Sequence, residues 1–286
     1  MDIDKLIFEK LDLQGLKILV SWAESEGWNP GKHDAEAFYS TDPDGFYGYY
    51  YKGNLIAGGS IVSYNGDFGF MGFFIVKSEF RSLGIGRKLW LQRRDLLLSR
   101  LKPSATIGMD GVIAMQPFYK KGGFNIDFRD ERYEKMGQPF TVHKNISTKI
   151  GAEDGGLMAY DKECFAYDRS DFMHHWLQLK DSIVFIYKEK SSIKGFAMIR
   201  KVARGYKVCP LFADTAKVAE ELYKACLNAA VNEPLYIDVP CCNDQALQLI
   251  KKYQCTYVFE CARMYYGSPA KISSHKIYGI TTFELG

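Results

Sequence analysis

Ile75-Val76-Lys77-Ser78-Glu79-Phe80-Arg81-Ser82-Leu83-Gly84-Ile85-Gly86-Arg87-Lys88-Leu89 is the stretch on which the reading of this chain turns. An apolar run ends at Val76, a short polar loop carries Arg81 and two glycines, and an amphipathic helix opens at Ile85. Gly84 and Gly86 let the backbone approach a ligand closely and adopt dihedrals that side chains forbid. Amides at the amino end of a helix point free hydrogens and a partial positive charge outward, which suits a pyrophosphate. A dinucleotide fingerprint requires a third glycine where Leu89 stands, and a nucleotide-hydrolase loop requires Gly-Lys followed by Ser or Thr. Both are excluded. A strand-to-helix turn without a ligand stays open at this point.

Outward from the loop, the same order of elements appears twice. The first half reads as a helix over 13–26, with Leu16, Leu19, Val20 and Ala23 on one face, and strands over 45–52, 55–63 and 68–76. Lys52-Gly53-Asn54 and Asn65-Gly66-Asp67 are hairpin turn chemistries between them. A helix over 85–99, a strand over 106–111, a short helix near 117–121 and a strand over 125–135 complete this half. The second half opens with a helix that Ser170 can cap. Strands over 182–188, 193–202 and 206–212 follow, then a helix over 215–230, a strand over 235–239, a helix over 243–253 and a strand over 256–264. Tyr51-Lys52 before Leu55-Ile56-Ala57-Gly58 is echoed by Tyr187-Lys188 before Ile193-Lys194-Gly195. Residues 1–138 and 157–286 therefore read as two α+β domains of one fold. The linker, 139–156, contains Pro139 and ends in Gly151-Ala152-Glu153-Asp154-Gly155-Gly156.

Composition narrows the class. The 286 residues are 47% hydrophobic and 25% charged, a globular balance that excludes a disordered or fibrous chain. The longest apolar stretch, 68–76, falls far short of the ~20 residues of a spanning helix. The chain starts Met1-Asp2-Ile3-Asp4-Lys5, with acids where a secretory signal carries bases, so a cytoplasmic location and no membrane partner are expected. A net charge of +3 without a long basic run gives no footprint for nucleic acid. The seven cysteines form no CxxC pair, so no metal is expected and buried reduced thiols are.

The pattern Arg-x-x-Gly-x-Gly after a strand resembles the acyl-CoA loop of the GNAT superfamily of acyl-CoA-dependent N-acetyltransferases. Phe118-Tyr119-Lys120-Lys121-Gly122-Gly123-Phe124 is similar to that superfamily's tyrosine-bearing helix, which ends in Gly-Phe, and it falls at the expected place. With the element order, the resemblance covers 1–136. Gly27-Trp28-Asn29-Pro30-Gly31, with Asp34, further resembles a tandem-domain subgroup whose second domain is a divergent copy.

The resemblance implies two GNAT-like domains, each a mixed, mostly antiparallel sheet flanked by helices, and acetyl-CoA as cosubstrate. It implies that backbone groups of Phe74, Ile75 and Val76 pair with pantetheine. Arg81, Ser82, Leu83, Gly84, Ile85, Gly86 and Arg87 would surround the pyrophosphate. Tyr119 becomes the candidate general acid toward the departing thiolate, protonated at neutral pH because a free phenol has a pKa of ~10. Trp28 and Phe38 lie where superfamily members wall the acceptor, although core packing accounts for them equally. Phe70 stands where many members carry a carboxylate, and Val112 where an asparagine contacts CoA, with Gln116 a nearby substitute. A primary amine of pKa ~10 is only about 0.1% neutral at pH 7, a penalty near ~4 kcal/mol. Asp110 is the nearest alternative base or water-orienting group, or a structural acceptor. In the second half Pro210-Leu211-Phe212-Ala213-Asp214 replaces the glycine loop, Ile250 takes the tyrosine position and Gln254-Cys255 replaces Gly-Phe. That half is expected to pack on the first, complete the acceptor pocket or make a homodimer contact. The implied activity is acetyl transfer to an amine of a small molecule or peptide. A non-catalytic acyl-CoA sensor or scaffold, and transfer of a longer acyl or aminoacyl group, are the alternatives.

Overall fold

The computed structural model describes residues 3–148 and 155–286. The first half contains β1 (Ile7–Lys10), α1 (Leu13–Ser25), α2 (Asp34–Thr41), β2 (Phe46–Tyr51), β3 (Asn54–Tyr64) and β4 (Phe68–Val76). It continues through α3 (Ile85–Arg100), β5 (Thr106–Val112), α4 (Gln116–Lys121) and β6 (Phe124–Met136). After the two-residue β7 (Ile146–Ser147) come α5 (Gly155–Phe165), α6 (Ser170–Trp176), β8 (Ser182–Glu189), β9 (Ser192–Lys201) and β10 (Tyr206–Ala213). The chain ends in α7 (Ala216–Ala229), β11 (Pro234–Pro240), α8 (Asp244–Lys252), β12 (Thr256–Tyr266) and β13 (Ile277–Gly279).

Local chemistry explains most boundaries. Asp12 caps α1 by accepting from the Gly15 amide, and Asn243 caps α8 through the Gln245 and Ala246 amides. Lys52-Gly53 and Asn65-Gly66 all take positive φ, the paired left-handed geometry of tight hairpins. β1, α2, α5 and β13 are absent from the sequence reading, as is β7, which falls in the stretch read as linker. The Gly155-Gly156 pair, read as linker, starts α5, whose Leu157, Tyr160 and Cys164 are buried. Gly151, Ala152, Glu153 and Asp154 of that linker lie outside the described residues. Of the thiols expected to be buried, Cys164, Cys209, Cys226 and Cys261 are; Cys241 and Cys255 are half-buried and Cys242 is exposed.

The two halves share one 13-stranded sheet, in the order β1-β2-β3-β4-β5-β12-β6-β11-β10-β9-β8-β7, with β13 alongside β10. Each half lends its last long strand to the other. β12 lies between β5 and β6, antiparallel to both, and β6 also pairs with β11. All neighbouring strand pairs are antiparallel except two equivalent ones. β4 runs parallel to β5 only over Phe68–Phe70 against Thr106–Gly108, and β10 runs parallel to β11 over Tyr206–Val208 against Leu235–Ile237. Beyond those residues each pair splits. In the second half the split is filled, because β13 pairs with Leu211 and Phe212. In the first half it is open.

Candidate active site

The open split is maintained by an irregularity in β4. Its register with β3 shifts between Gly58 and Ser60, and Phe73 sits at φ 48°, where an L side chain costs about 1–2 kcal/mol. Phe73 is held there by burial, its ring 5.7 Å from that of Phe38 in an edge-on contact. Arg93 of α3 lies beneath, 0% exposed, and donates to the carbonyls of Ser60 and Gly72. Gly59 permits this, since an added Cβ would overlap the guanidinium. Burial without an anionic partner lowers the Arg93 pKa to about 9.

A cavity of about 540 Å³ occupies the split. Met71, Gly72, Phe73, Phe74, Ile75 and Val76 form one wall, and Met109, Asp110, Val112 and Tyr119 the other. At the mouth, Arg81 donates to the Val76 carbonyl at 2.8 Å and pairs with Glu26. Gly84 caps α3 at φ 79° with no side-chain bond, and the first intrahelical bond runs from Lys88 N to Gly84 O. The amides of Ile85, Gly86 and Arg87 thus precede the helical ladder, and a Cβ at Gly84 would meet open space.

Tyr119 is 4% exposed and stacks on Trp90 with 6.0 Å between ring centres. Burial pushes its phenol well above the ordinary range, with the Arg93 charge acting downward. Asp110 accepts from Arg263 of β12 with both oxygens, at 2.7 and 3.0 Å. Burial pushes this carboxyl up, and Arg263 opposes it. Of the residues singled out from sequence, Phe74, Ile75, Val76, Arg81, Ser82, Gly86, Asp110, Tyr119 and Trp28 line the cavity. Leu83, Gly84, Ile85 and Arg87 belong to the loop but not to the lining. Gln116 donates to the Gly111 carbonyl at 3.1 Å, and Phe38 stacks on Trp176 in the core. Neither reaches the cavity wall.

The second half supplies the far wall, which no motif announced: Phe259 and Cys261 of β12, and Phe283 and Glu284 beyond β13. Together with Arg132 of β6, it also positions the Trp28 loop. The Trp28 carbonyl accepts from Arg132 at 3.0 Å and from Lys207 at 3.4 Å. Asn29 and Arg204 exchange two hydrogen bonds, and Asp34 receives a buried fork from Arg200 at 2.7 and 2.8 Å. Burial acts upward on Asp34, yet Arg200 holds its carboxyl below the usual range. Burial and the neighbouring Arg132 and Arg200 charges bring Lys207 down to about 8. Among the described residues no group of three His, Cys, Asp or Glu side chains could hold a metal, and no helix is long and apolar enough to cross a membrane.

Residues 13–124 match the family model described as Acetyltransferase (GNAT) family, and residues 157–279 match that of an Acetyltransferase (GNAT) domain. The chain is 26% identical to holothin acyltransferase of Pseudoalteromonas sp. (strain SANK 73390), over 96% of its own length and 92% of that protein. It is 24% identical to the uncharacterized N-acetyltransferase YitH of Bacillus subtilis (strain 168), over 83% of each. A crystal structure from Pyrococcus horikoshii, whose name carries a provisional acetyltransferase assignment, superimposes with a TM-score of 0.84 at 23% identity, covering 100% of this chain and 98% of that one. A tandem GNAT protein from the clavulanic acid biosynthesis pathway shares the fold at a TM-score of 0.64 and 11% identity, over 93% of this chain and 100% of that one.

Proposed function

Since the chain belongs to the GNAT acetyltransferase family and is an acyltransferase, we propose that it moves acetyl from acetyl-CoA to a primary amine of a small molecule or peptide, by direct attack. The observation that carries this is the open split, with an uncapped helix start at its mouth and a protonated phenol on its wall. The residues fit the donor. Free amides at 85–87 suit a pyrophosphate, and beyond Phe70 the β4 edge that faces β5, with no strand beside it among the described residues, suits an extended pantetheine. Bound there, acetyl-CoA supplies an activated thioester carbonyl.

Every other task falls to the chain. Backbone groups of Phe74–Val76 orient the donor, and an amide near Val76 polarises the carbonyl. Tyr119 gives its hydroxyl proton to sulfur as the carbon–sulfur bond breaks. Asp110, locked by Arg263, orients groups at the same wall. In this reading the first half, 1–138, holds the donor, while 157–286 closes the acceptor side and does no chemistry of its own. The methionines lining the cavity, and the acyltransferase name of the Pseudoalteromonas relative, favour a second reading in which a longer acyl group is carried. Competition among acyl-CoA chain lengths separates the two.

Titration calorimetry with acetyl-CoA tests the donor. Wild type should bind about one equivalent, and Gly84→Asp should lose binding, because its carboxylate repels a pyrophosphate and its side chain strains the φ of 79°; an unchanged circular dichroism spectrum separates lost binding from a lost fold. Tyr119→Phe should bind acetyl-CoA normally and lose about 100-fold in kcat. Absence of binding in wild type removes the donor, and unchanged turnover in Tyr119→Phe removes the acid.

A further inference from the structure

Three acidic residues line the cavity: Glu26, Asp110 and Glu284. Glu26 is paired with Arg81, and Asp110 has both oxygens on Arg263. Glu284 differs. Its carboxylate accepts from the Thr282 hydroxyl, and among the described residues no cation lies within ion-pair distance of it. It is 5% exposed, yet faces the same space as Tyr119. Its backbone is fastened where β4 is irregular: the Gly72 amide donates to Ser60 Oγ at 2.9 Å, and Ser60 Oγ donates to the Glu284 carbonyl at 3.3 Å. A Cβ on Gly72 would overlap that carbonyl, so only glycine lets segment 280–286 cross here. The charged groups around Glu284 are Arg132, which is forked to Asp238, Arg200, which is forked to Asp34, Lys207 on the Trp28 carbonyl, and Asp110. On this side the wall is Trp28, Phe259, Cys261 and Phe283, with the Arg132 guanidinium, forked to Asp238, 4.5 Å from the Phe259 ring centre and 5.4 Å from that of Phe283.

We propose that Glu284 receives the acceptor's ammonium and takes its proton, and that the acceptor is a primary amine carried on an apolar ring body. This rests on the acetyl-CoA reading above. The ammonium gives one proton to the Glu284 carboxylate, and the neutral nitrogen forms the carbon–nitrogen bond. The carbon–sulfur bond breaks with its electron pair on sulfur, which takes the Tyr119 proton. The surplus proton on nitrogen restores the phenol through solvent, and Glu284 releases its own to solvent. One proton is freed per turnover, and nothing is oxidised or reduced. The other charges on the lining are already paired, Arg81 with Glu26, Asp110 with Arg263 and Arg132 with Asp238, so the acceptor side offers an ammonium one anchor and no second one. Polyamines and amino acids, which carry further charges, are therefore poor fits, because burying an unpaired charge is costly.

The experiment follows free-thiol release from acetyl-CoA with 2-phenylethylamine, tryptamine, spermidine and lysine as probes, for wild type, Glu284→Gln and Glu284→Asp. Acetyl-CoA affinity is measured by calorimetry on each protein. The ring amines should exceed spermidine and lysine in kcat/KM by about tenfold or more. Glu284→Gln should lose about 100-fold in kcat/KM for the amine, recover part of that as pH rises and free amine accumulates, and bind acetyl-CoA as wild type does. Glu284→Asp, which keeps a carboxylate on a shorter stem, should fall between. A Gln variant within threefold of wild type, a panel led by spermidine or lysine, or no turnover of any probe while acetyl-CoA binds would overturn the assignment and leave the donor reading intact. Failure of wild type to bind acetyl-CoA would overturn the donor reading itself.

Discussion

Asp130, on β6, sits opposite Cys261 of β12 and Pro240 of β11, 0% exposed, with neither carboxylate oxygen hydrogen-bonded to any of the described residues. Burial and the nearby Asp110 charge raise its pKa well above the carboxylate range, against the pull of Arg263. The folded state therefore holds the Asp130 proton more tightly than the unfolded chain. Its contribution to stability is full below the unfolded pKa of ~4 and is lost as pH rises through the folded value. Asp130→Asn, neutral at every pH, should melt higher than wild type at pH 8, and the gap should close on acidification to pH 5. A gap that widens on acidification would contradict a raised carboxyl. At this scale the sequence was partly legible. Tyr119 stood out because Gly122-Gly123-Phe124 follows it locally, and Arg81 because the glycines do. Glu284, Arg93 and Asp130 carry no local signal, since what makes each unusual is the company that distant strands bring to it.

At the scale of elements, β4 concentrates the design. Its hairpin with β3 follows from Asn65-Gly66, and α3 follows from the uncapped Gly84, so both were readable from neighbours in sequence. The irregularity at Phe73 was not, because nothing marks an aromatic residue for the left-handed region. It depends on Arg93 capturing two carbonyls and on the 280–286 segment pressing against Gly72. Gly72→Ala should force that segment away, at a cost of about 1–3 kcal/mol. Thermal melting should fall by several degrees, and KM for the amine should rise more than the acetyl-CoA dissociation constant. Equal changes in both would mean that the crossing supports the whole cavity rather than its acceptor side.

Across the molecule, the exchange of β6 and β12 decides how the halves cooperate. The repeat of elements along the chain was visible, but sequential order does not reveal which strand lies beside which, and the exchange came from pairing alone. Residues 1–138 produced alone would leave β5 without β12 and β6 without either flanking strand, an exposed edge that favours aggregation. Co-production with 139–286 should give a soluble complex that binds acetyl-CoA, while each piece alone should be lost to the pellet. A soluble, cooperatively melting 1–138 would show that the exchanged strands are dispensable.

The same crossing has a temporal side. A ribosome releases the glycine loop and Tyr119 long before Phe283 and Glu284, and β5 must wait for β12 to emerge. A nascent chain interrupted before residue 283 has the loop at the cavity's mouth but lacks Phe283 and Glu284 on its far wall. On the proposed assignment, translation has to run through Glu284 before the acceptor's ammonium meets its base, so truncated products would lack that step.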